Sequence, residues 1–441
     1  MLSAQENELI TRVGAGTPMG NLLRQFWIPC LFTWELTADG PPERVRLLGE
    51  DLVAFRDTSG RVGLIGERCP HRRASLYFGR NEADGLRCIY HGWKYDFTGQ
   101  CVDMPSEPPD SNFKDKIADR AYPCVERGGL IWAYMGPQYE PPPTPDLEWM
   151  SLPAGHVIAS KRVQYSNWVQ GMEGDIDQSH VSFVHSRLHL DDGGGRPGRS
   201  GIVDQIRKSD THPRFEVLET DYGTLIGAGR DAPDGMRYWR ITQHMMPFHT
   251  ITGPYGQNPI RNWRAWVPID DTNLVVIGLN FHPLRPLTDP ERERFTNLAN
   301  VWNIAPEMRA PRTSAPFGAW RPIPSLDNDF FQDRQAQRER TYSGISEFWA
   351  QDAAPQLSMG EVCDRTEEHL GTSDLAIIAV RKRLLNEALA LAERGEAPAE
   401  VAKPEVYQVR ADALLIPAEQ SWIEASEQRR RVLAGSNPAC P

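Results

Sequence analysis

No run of apolar residues in this 441-residue chain comes near the ~18 that a membrane-spanning helix needs. Basic runs are missing too. The chain has 48 Lys and Arg against 59 Asp and Glu, a net charge of −11, which argues against a nucleic-acid-binding face. The opening residues, MLSAQENELITRVGAGTPMG, lack the basic-then-apolar build of a signal peptide, so a cytoplasmic protein is expected. Cysteine is scarce: seven residues, at 30, 69, 88, 101, 124, 363 and 440. An odd number in a long chain with no export signal argues against a disulfide framework. There is no internal repeat. Hydrophobic content of 40% and charged content of 24% suit a globular chain of two or three domains.

Periodicity divides the chain. Residues 4–27 carry apolar side chains at helical spacing around a Gly/Pro break. From about residue 44 the period changes to two, in RVRLLGE, LVAFRD and RVGLIGER. WKYDFTGQCVDMP then reads as a hairpin turning at Gly99, and GGLIWAYMGP as a returning strand. PQYEPPPTPDLEW is a Pro-rich linker. Beyond it the sequence predicts a strand within 155–170, then a helix carrying EGDIDQSHVSFVH. A Gly-rich loop at 191–201 reads as flexible and lid-like. Paired strands follow in RFEVLETDYGTLIGAGR, MRYWRITQHMM and RAWVPIDDTNLVVIGLNFHP. The last strong signal is a helix over 373–395, with Ser373 as N-cap and Gly395 as stop, before a polar tail. The expected class is α+β. A helical segment, 1–39, packs on the second domain. Residues 40–137 form a small all-β domain. Residues 138–441 form a larger one, with a central antiparallel sheet flanked by helices.

Two short loops of the all-β region each hold one Cys and one His: Cys69-x-His71 and, sixteen residues later, Cys88-x-x-His91. Thiolates and imidazoles together suit a transition metal. Zinc is one candidate, because Cys2His2 is a common structural zinc set. Zinc fingers, however, group cysteine with cysteine and histidine with histidine. One of each per loop suits a two-iron cluster with both cysteines on one iron and both histidines on the other, the Rieske [2Fe–2S] arrangement. Cys69 and Cys88 are then the ligands of the inner iron, and His71 and His91 of the outer one. Pro70 stiffens the first loop and Gly92 lets the second turn sharply.

A second constellation, NWVQGMEGDIDQSHVSFVH, holds Glu173, Asp175, Asp177, His180 and His185. On a helix Asp177 and His180 share a face. His180 and His185 are about 140° apart, so one ion reaches both only if the helix is distorted or has ended before His185. Two histidines and a more distant carboxylate are the facial triad of non-haem Fe(II) oxygenases. The bland alternative is a polar helix face with two core histidines. An upstream electron-delivering cluster tilts the balance toward the metal, since delivered electrons need a consumer. Spacing does not identify the carboxylate, because 59 acidic residues compete.

With these motifs, and with TPMGNLLRQFWIP, DNDFFQDRQAQ and MGEVCDRTEEHLGTSD, the chain resembles the α (oxygenase) subunits of Rieske non-haem iron oxygenases of the phthalate dioxygenase-like group. The resemblance covers most of the chain. It implies that His180 and His185 bind Fe(II), and that Asp177 bridges His180 to His91 of a neighbouring subunit. It points to Asp352 as third ligand, with Asp333 and Asp364 as alternatives. Glu173 is expected to line the iron pocket. The resemblance also implies an NADH-dependent flavin or iron–sulfur reductase as electron donor, O2 as co-substrate, and a homotrimer or stacked double trimer. Arg214 and Arg240 match positions where relatives hold a substrate carboxylate, a role that suits a guanidinium fork. Trp168 and Phe183 are expected in the core. The expected activity is hydroxylation, cis-dihydroxylation or O-demethylation of an aromatic, carboxylated substrate. A Rieske electron carrier without oxygenase activity is the rival, and a zinc-stapled binding protein a second.

Overall fold

The computed structural model describes residues 1–138, 140–189, 201–254, 260–297 and 304–432. The 191–201 loop and the tail after 432 therefore lie almost wholly outside the described residues. Three small antiparallel sheets build the first part. Glu43–Leu47, Glu50–Arg56 and Val62–Gly66 form one, and Arg80–Glu82, Gly85–Arg87, Lys94–Tyr95 and Cys101–Asp103 another. The third joins Trp27–Phe32, Leu130–Tyr134 and Cys124–Arg127. The hairpin turn at Gly99 has φ +81°, a conformation that glycine adopts freely.

Residues 1–39 are not helical throughout. Ala4–Thr11 and Pro18–Leu23 are helices, but Trp27–Phe32 is a buried strand paired with Leu130–Tyr134. An all-apolar run of six fits a strand buried on both faces as well as a helical turn, and tertiary pairing decides. The helical part is hydrogen-bonded to residues far along the chain. Asn7 Nδ2 donates to the Cys363 carbonyl, and the Val13 N–H donates to Asp271.

The second part is built on an eight-stranded antiparallel sheet. Its order is Val157–Gln164, Leu274–Phe281, Arg261–Pro268, His249–Ile251, Met236–Met245, Gly223–Asp231 and Arg214–Glu219, with Asp412–Pro417 also paired to Met236–Met245. Strand alternation gives the sheet two unlike faces. Trp263, Ala265 and Val267 join the main apolar core, which continues into the first part through Trp132 and Ile131. Thr250, Arg264, Asn262 and Asn280 alternate with these, so they fall on the other face, towards helix Trp168–Ile176. Asp175 of that helix pairs with Arg264, both side chains 0% exposed, and accepts from Thr250 Oγ1 and Trp266 Nε1.

The C-terminal helix runs Leu375–Arg394 and stops at Gly395 in the left-handed conformation, as the sequence predicts. Its N-cap is Asp374 rather than Ser373, because a 3-10 turn, Thr372–Asp374, precedes it. Arg381 of this helix and Arg365 both pair with Glu173. Glu173 is therefore a structural clamp on its own helix and does not line the iron pocket, contrary to expectation. Burial pushes its carboxyl up, but the two guanidinium groups outweigh that and hold it below the usual range.

His249 lies on the apolar face, stacked at 5.2 Å on Trp263, and His244 is equally enclosed. Burial favours the neutral rings and takes them from 6.5 down to about 3 and about 4 respectively. Between those values and 6.5 the unfolded chain binds more protons than the folded one, so stability is lost as pH falls through that window. The melting temperature of His249→Phe is expected to fall less steeply than that of the native chain between pH 6.5 and 4, measured by thermal denaturation across buffers.

Candidate functional site

The first donor set lies at the tips of two loops. Cys69 and His71 follow strand Val62–Gly66; Cys88 and His91 connect Gly85–Arg87 to Lys94–Tyr95. Each loop closes on itself: the Arg73 N–H donates to the Cys69 carbonyl, and the Gly92 N–H, at φ +78°, donates to that of Cys88. Both thiols are buried and unoxidised. Burial and the adjacent Cys88 thiol raise Cys69, while the Tyr95 hydroxyl, 3.3 Å away, and the His71 N–H lower it; the net shift is upward. Two adjacent buried thiols in a protein have no reason to ionise unless a cation sits between them. The imidazoles stand further out, half-exposed, with ring centres 4.5 Å apart and Trp93 stacked on His71. Buried sulfurs inside and imidazoles outside fit the two unlike irons of a Rieske cluster.

The second donor set arises where a helix ends. Helix Trp168–Ile176 stops at Asp177, whose backbone is extended, and a 3-10 turn, His180–Ser182, follows. The helix has thus ended before His185, one of the two conditions under which a single ion reaches both histidines. Asp177 and His180 meet because Asp177 Oδ1 accepts from the N–H groups of Ser179, at 2.6 Å, and His180, at 3.4 Å, capping the new turn. Asp177 Oδ2 then lies 3.3 Å from His180 Nδ1. His185, beyond the turn, sets its Nδ1 2.8 Å from Gln351 Oε1 and stacks its ring on Phe348.

Among the described residues one group of three metal donors comes together: His180, His185 and Asp352, with ligand atoms within 4.8 Å of one another. Asp352 Oδ1 is 2.9 Å from His185 Nε2 and 3.5 Å from His180 Nε2. Each imidazole thus spends Nδ1 on an oxygen acceptor and turns Nε2 inward, the tautomer a metal requires. Burial lowers His185, although Asp352 and Gln351 pull the other way. Burial would raise Asp352, but the two histidines and Arg162 prevail and hold it low, hence ionised. Its buried Oδ2 has no hydrogen-bond partner among the described residues. An orphaned carboxylate oxygen beside two imidazoles is the donor set of a cation site, and two nitrogens with one oxygen fit iron(II). Asp333 instead caps helix Arg334–Glu339, and Asp364 faces solvent bonded to Thr366; neither joins the group.

A cavity opens on this site, bordered by His180, His185, Gln178, Arg240, Asn280 and Phe295 among others, with about 710 Å³ of empty space counting its mouth. Arg240 is buried in its wall. Its Nε donates to the Gly253 carbonyl at 2.9 Å and its Nη1 to Gln178 Oε1. Arg294 borders the same space. Arg214 does not: it lies on the edge strand, side chain 62% exposed, paired with Asp231. Trp168 is in the core as expected, whereas Phe183 is exposed and packs edge-on against Tyr342. Sequence reasoning missed Gln351, Gln178 and Asn280. Amide side chains give no periodic or charge signal; only adjacency to Asp352 and Asp177 marked the first two.

Two family models divide the chain: "Rieske [2Fe-2S] domain" over residues 26–121 and "LigXa C-terminal domain like" over residues 133–435. The 3-chlorobenzoate-3,4-dioxygenase oxygenase subunit of Comamonas testosteroni is 37% identical, covering 97% of this chain and 99% of that protein. This chain belongs to the Rieske oxygenase α-subunit family. Within that family it falls in the phthalate dioxygenase and 3-chlorobenzoate dioxygenase-like group. The phthalate 4,5-dioxygenase oxygenase subunit of Pseudomonas putida is 38% identical, covering 90% of this chain and 88% of that one. Among solved structures, dicamba monooxygenase bound to dicamba has the same fold, with a TM-score of 0.58 at 16% identity over 85% of this chain and 100% of that one. The cofactors are thus a Rieske [2Fe–2S] cluster and a mononuclear iron at His180, His185 and Asp352. The electron-carrier and zinc alternatives are set aside. Rieske oxygenases take electrons from a ferredoxin or reductase. No helix among the described residues is long and apolar enough to cross a membrane.

Loss of one carboxylate separates the two centres. Asp352→Ala is expected to lower iron from about three to about two per chain while keeping the cluster's visible absorbance, read by metal analysis and spectroscopy.

Proposed function

We propose that this oxygenase subunit accepts electrons from an NADH-dependent flavin or iron–sulfur reductase and uses O2 to hydroxylate, cis-dihydroxylate or O-demethylate an aromatic carboxylic acid. The observation that carries this reading is a guanidinium, Arg240, buried in the wall of the cavity that opens on His180, His185 and Asp352. A buried cation in the wall of a partly apolar cavity suits a carboxylate on an arene. When bound, the cluster supplies single electrons and the iron supplies O2 activation.

In this reading Cys69 and Cys88 hold the inner cluster iron and His71 and His91 the outer. Gln351 orients His185, and Asp177 orients His180. Gln178 and the Gly253 carbonyl hold Arg240 in the cavity wall. Of Arg214 and Arg240, only Arg240 serves as the carboxylate anchor, since Arg214 faces solvent.

Asp177 also serves as the bridge to the cluster of a neighbouring copy. Three features support this. Asp177 and His180 remain partly exposed; Phe183 and Tyr342 present an apolar surface beside them; and the cluster loop carries Ile89 and Tyr90 outward, 62% and 56% exposed. Apolar surface around both centres suits their meeting across a subunit seam. A head-to-tail contact of this kind closes as a C3 trimer, single or stacked. The cytoplasm, which keeps thiols reduced, suits six described cysteines that are all free.

The direct test is a screen of aromatic acids for coupled NADH and O2 consumption with a reductase present; no coupled consumption across the panel would overturn the reading. Asp177→Asn is expected to retain both metals and lose turnover by on the order of 10- to 100-fold, measured with iron content in parallel. Arg240→Gln is expected to raise KM for the active acid by on the order of 10- to 100-fold, with a smaller effect on kcat.

A further inference from the structure

The cavity wall holds one polar group that the reading above leaves without work. Asn280, on strand Leu274–Phe281, is 4% exposed and borders the cavity. Its Nδ2 has no hydrogen-bond partner among the described residues. A buried amide N–H in that state is uncommon, because most buried polar groups are paired.

The surroundings explain why the fold itself does not satisfy it. Asn280 lies opposite Asn262 in the sheet register. The Asn262 amide is already spent: its Nδ2 donates to the Thr252 carbonyl at 3.0 Å, and its Oδ1 accepts from the Thr252 N–H and Oγ1 at 3.1 and 3.2 Å. Thr252 Oγ1 in turn accepts from Arg264 Nη2 at 2.9 Å. On its other side Asn280 lies opposite Ile158, which packs with Ile260, Leu287 and Phe295 in an apolar cluster. Ile260 and Phe295 also border the cavity. The apolar cluster and Asn280 thus border one space, and Arg240, on a different strand of the same polar face, borders it too.

We propose that Asn280 is a specificity-determining residue, donating from Nδ2 to an oxygen substituent that the aromatic acid carries in addition to the carboxylate held by Arg240. This rests on the aromatic-acid reading and narrows it: the preferred substrates are hydroxy-, alkoxy- or dicarboxylated arenes, and an acid with a bare hydrocarbon ring leaves a buried donor unmet. A pocket built to hydrogen-bond a substrate oxygen discriminates against the analogue lacking it far better than an apolar wall does.

Binding to the iron- and cluster-loaded protein, measured by isothermal calorimetry without reductant, tests this apart from turnover. The probes are benzoate, the three hydroxybenzoates and the three methoxybenzoates; a methoxy oxygen only accepts, so it reads the donor directly. At least one oxygen-substituted isomer is expected to bind the native chain roughly tenfold tighter than benzoate. Asn280→Leu is expected to erase that preference while moving benzoate affinity by less than about threefold, with iron content and cluster absorbance unchanged. A native chain that binds benzoate as tightly as all six oxygenated acids overturns the proposal. So does an Asn280→Leu variant that keeps the preference; the amide then serves a structural water, and the aromatic-acid reading stands. A native chain that binds none of the acids sinks the aromatic-acid reading and this inference together.

Discussion

Where helix Trp168–Ile176 ends decides where the iron ligands go, and the Asp175–Arg264 ion pair holds that end in place. Both side chains are wholly buried. Two charges taken out of water repay their desolvation only with good geometry and further hydrogen bonds, which Thr250, Trp266 and Thr252 supply. Removing either partner leaves a lone buried charge, a loss of about 3–5 kcal/mol. With Asp175 pinned to the sheet, Asp177 leaves the helix at a defined point. Its carboxylate caps the next turn, and His180 comes round with one nitrogen on Asp177 and the other facing Asp352.

The sheet beneath makes this affordable by separating two environments. Its apolar face, with Trp263, Ala265 and Val267, fuses with the core of the cluster-bearing part. Its polar face is internally saturated around Thr252 and Asn262, which keeps most buried donors paired. A metal centre and a charged anchor can then sit against it without facing hydrocarbon. Glu173 does similar work from the helix side. Arg365 and Glu368, both within MGEVCDRTEEHLGTSD, tie it to Arg381, so that motif holds the last helix against the one that delivers Asp177. In the sequence the motif carried only the family resemblance; in the structure it braces the site.

Much of this was legible from residue types and spacing. The two Cys/His loops, the β-rich region around them, the sheet strands and the C-terminal helix all follow from local pattern. The pairing of His180 with His185 was not fixed by local pattern: a polar helix face with two core histidines fitted the segment as well, and the upstream Cys/His loops and the family resemblance tipped the balance toward the metal. The third carboxylate was not legible from spacing: Asp352 stands 167 positions after His185, and only family resemblance picked it out of 59 acidic residues. Arg214 and Arg240 show the opposite case. Both are arginines in strands, but one faces solvent at a sheet edge and the other is buried beside Gln178. Exposure belongs to the sheet order, which no single strand contains.

The amino-acid sequence by itself determined the chemistry: which donors exist, and that two thiols, two imidazoles and a second pair of histidines imply two iron centres. That follows from ligand preference, a property of side chains. The tertiary structure decided which carboxylate completes the second centre, that the helix stops at Ile176, and that Gln351, Gln178 and Asn280 face the site. Those depend on contacts between segments far apart in the chain, and an amide or a carboxylate carries no local mark of the neighbour it will meet.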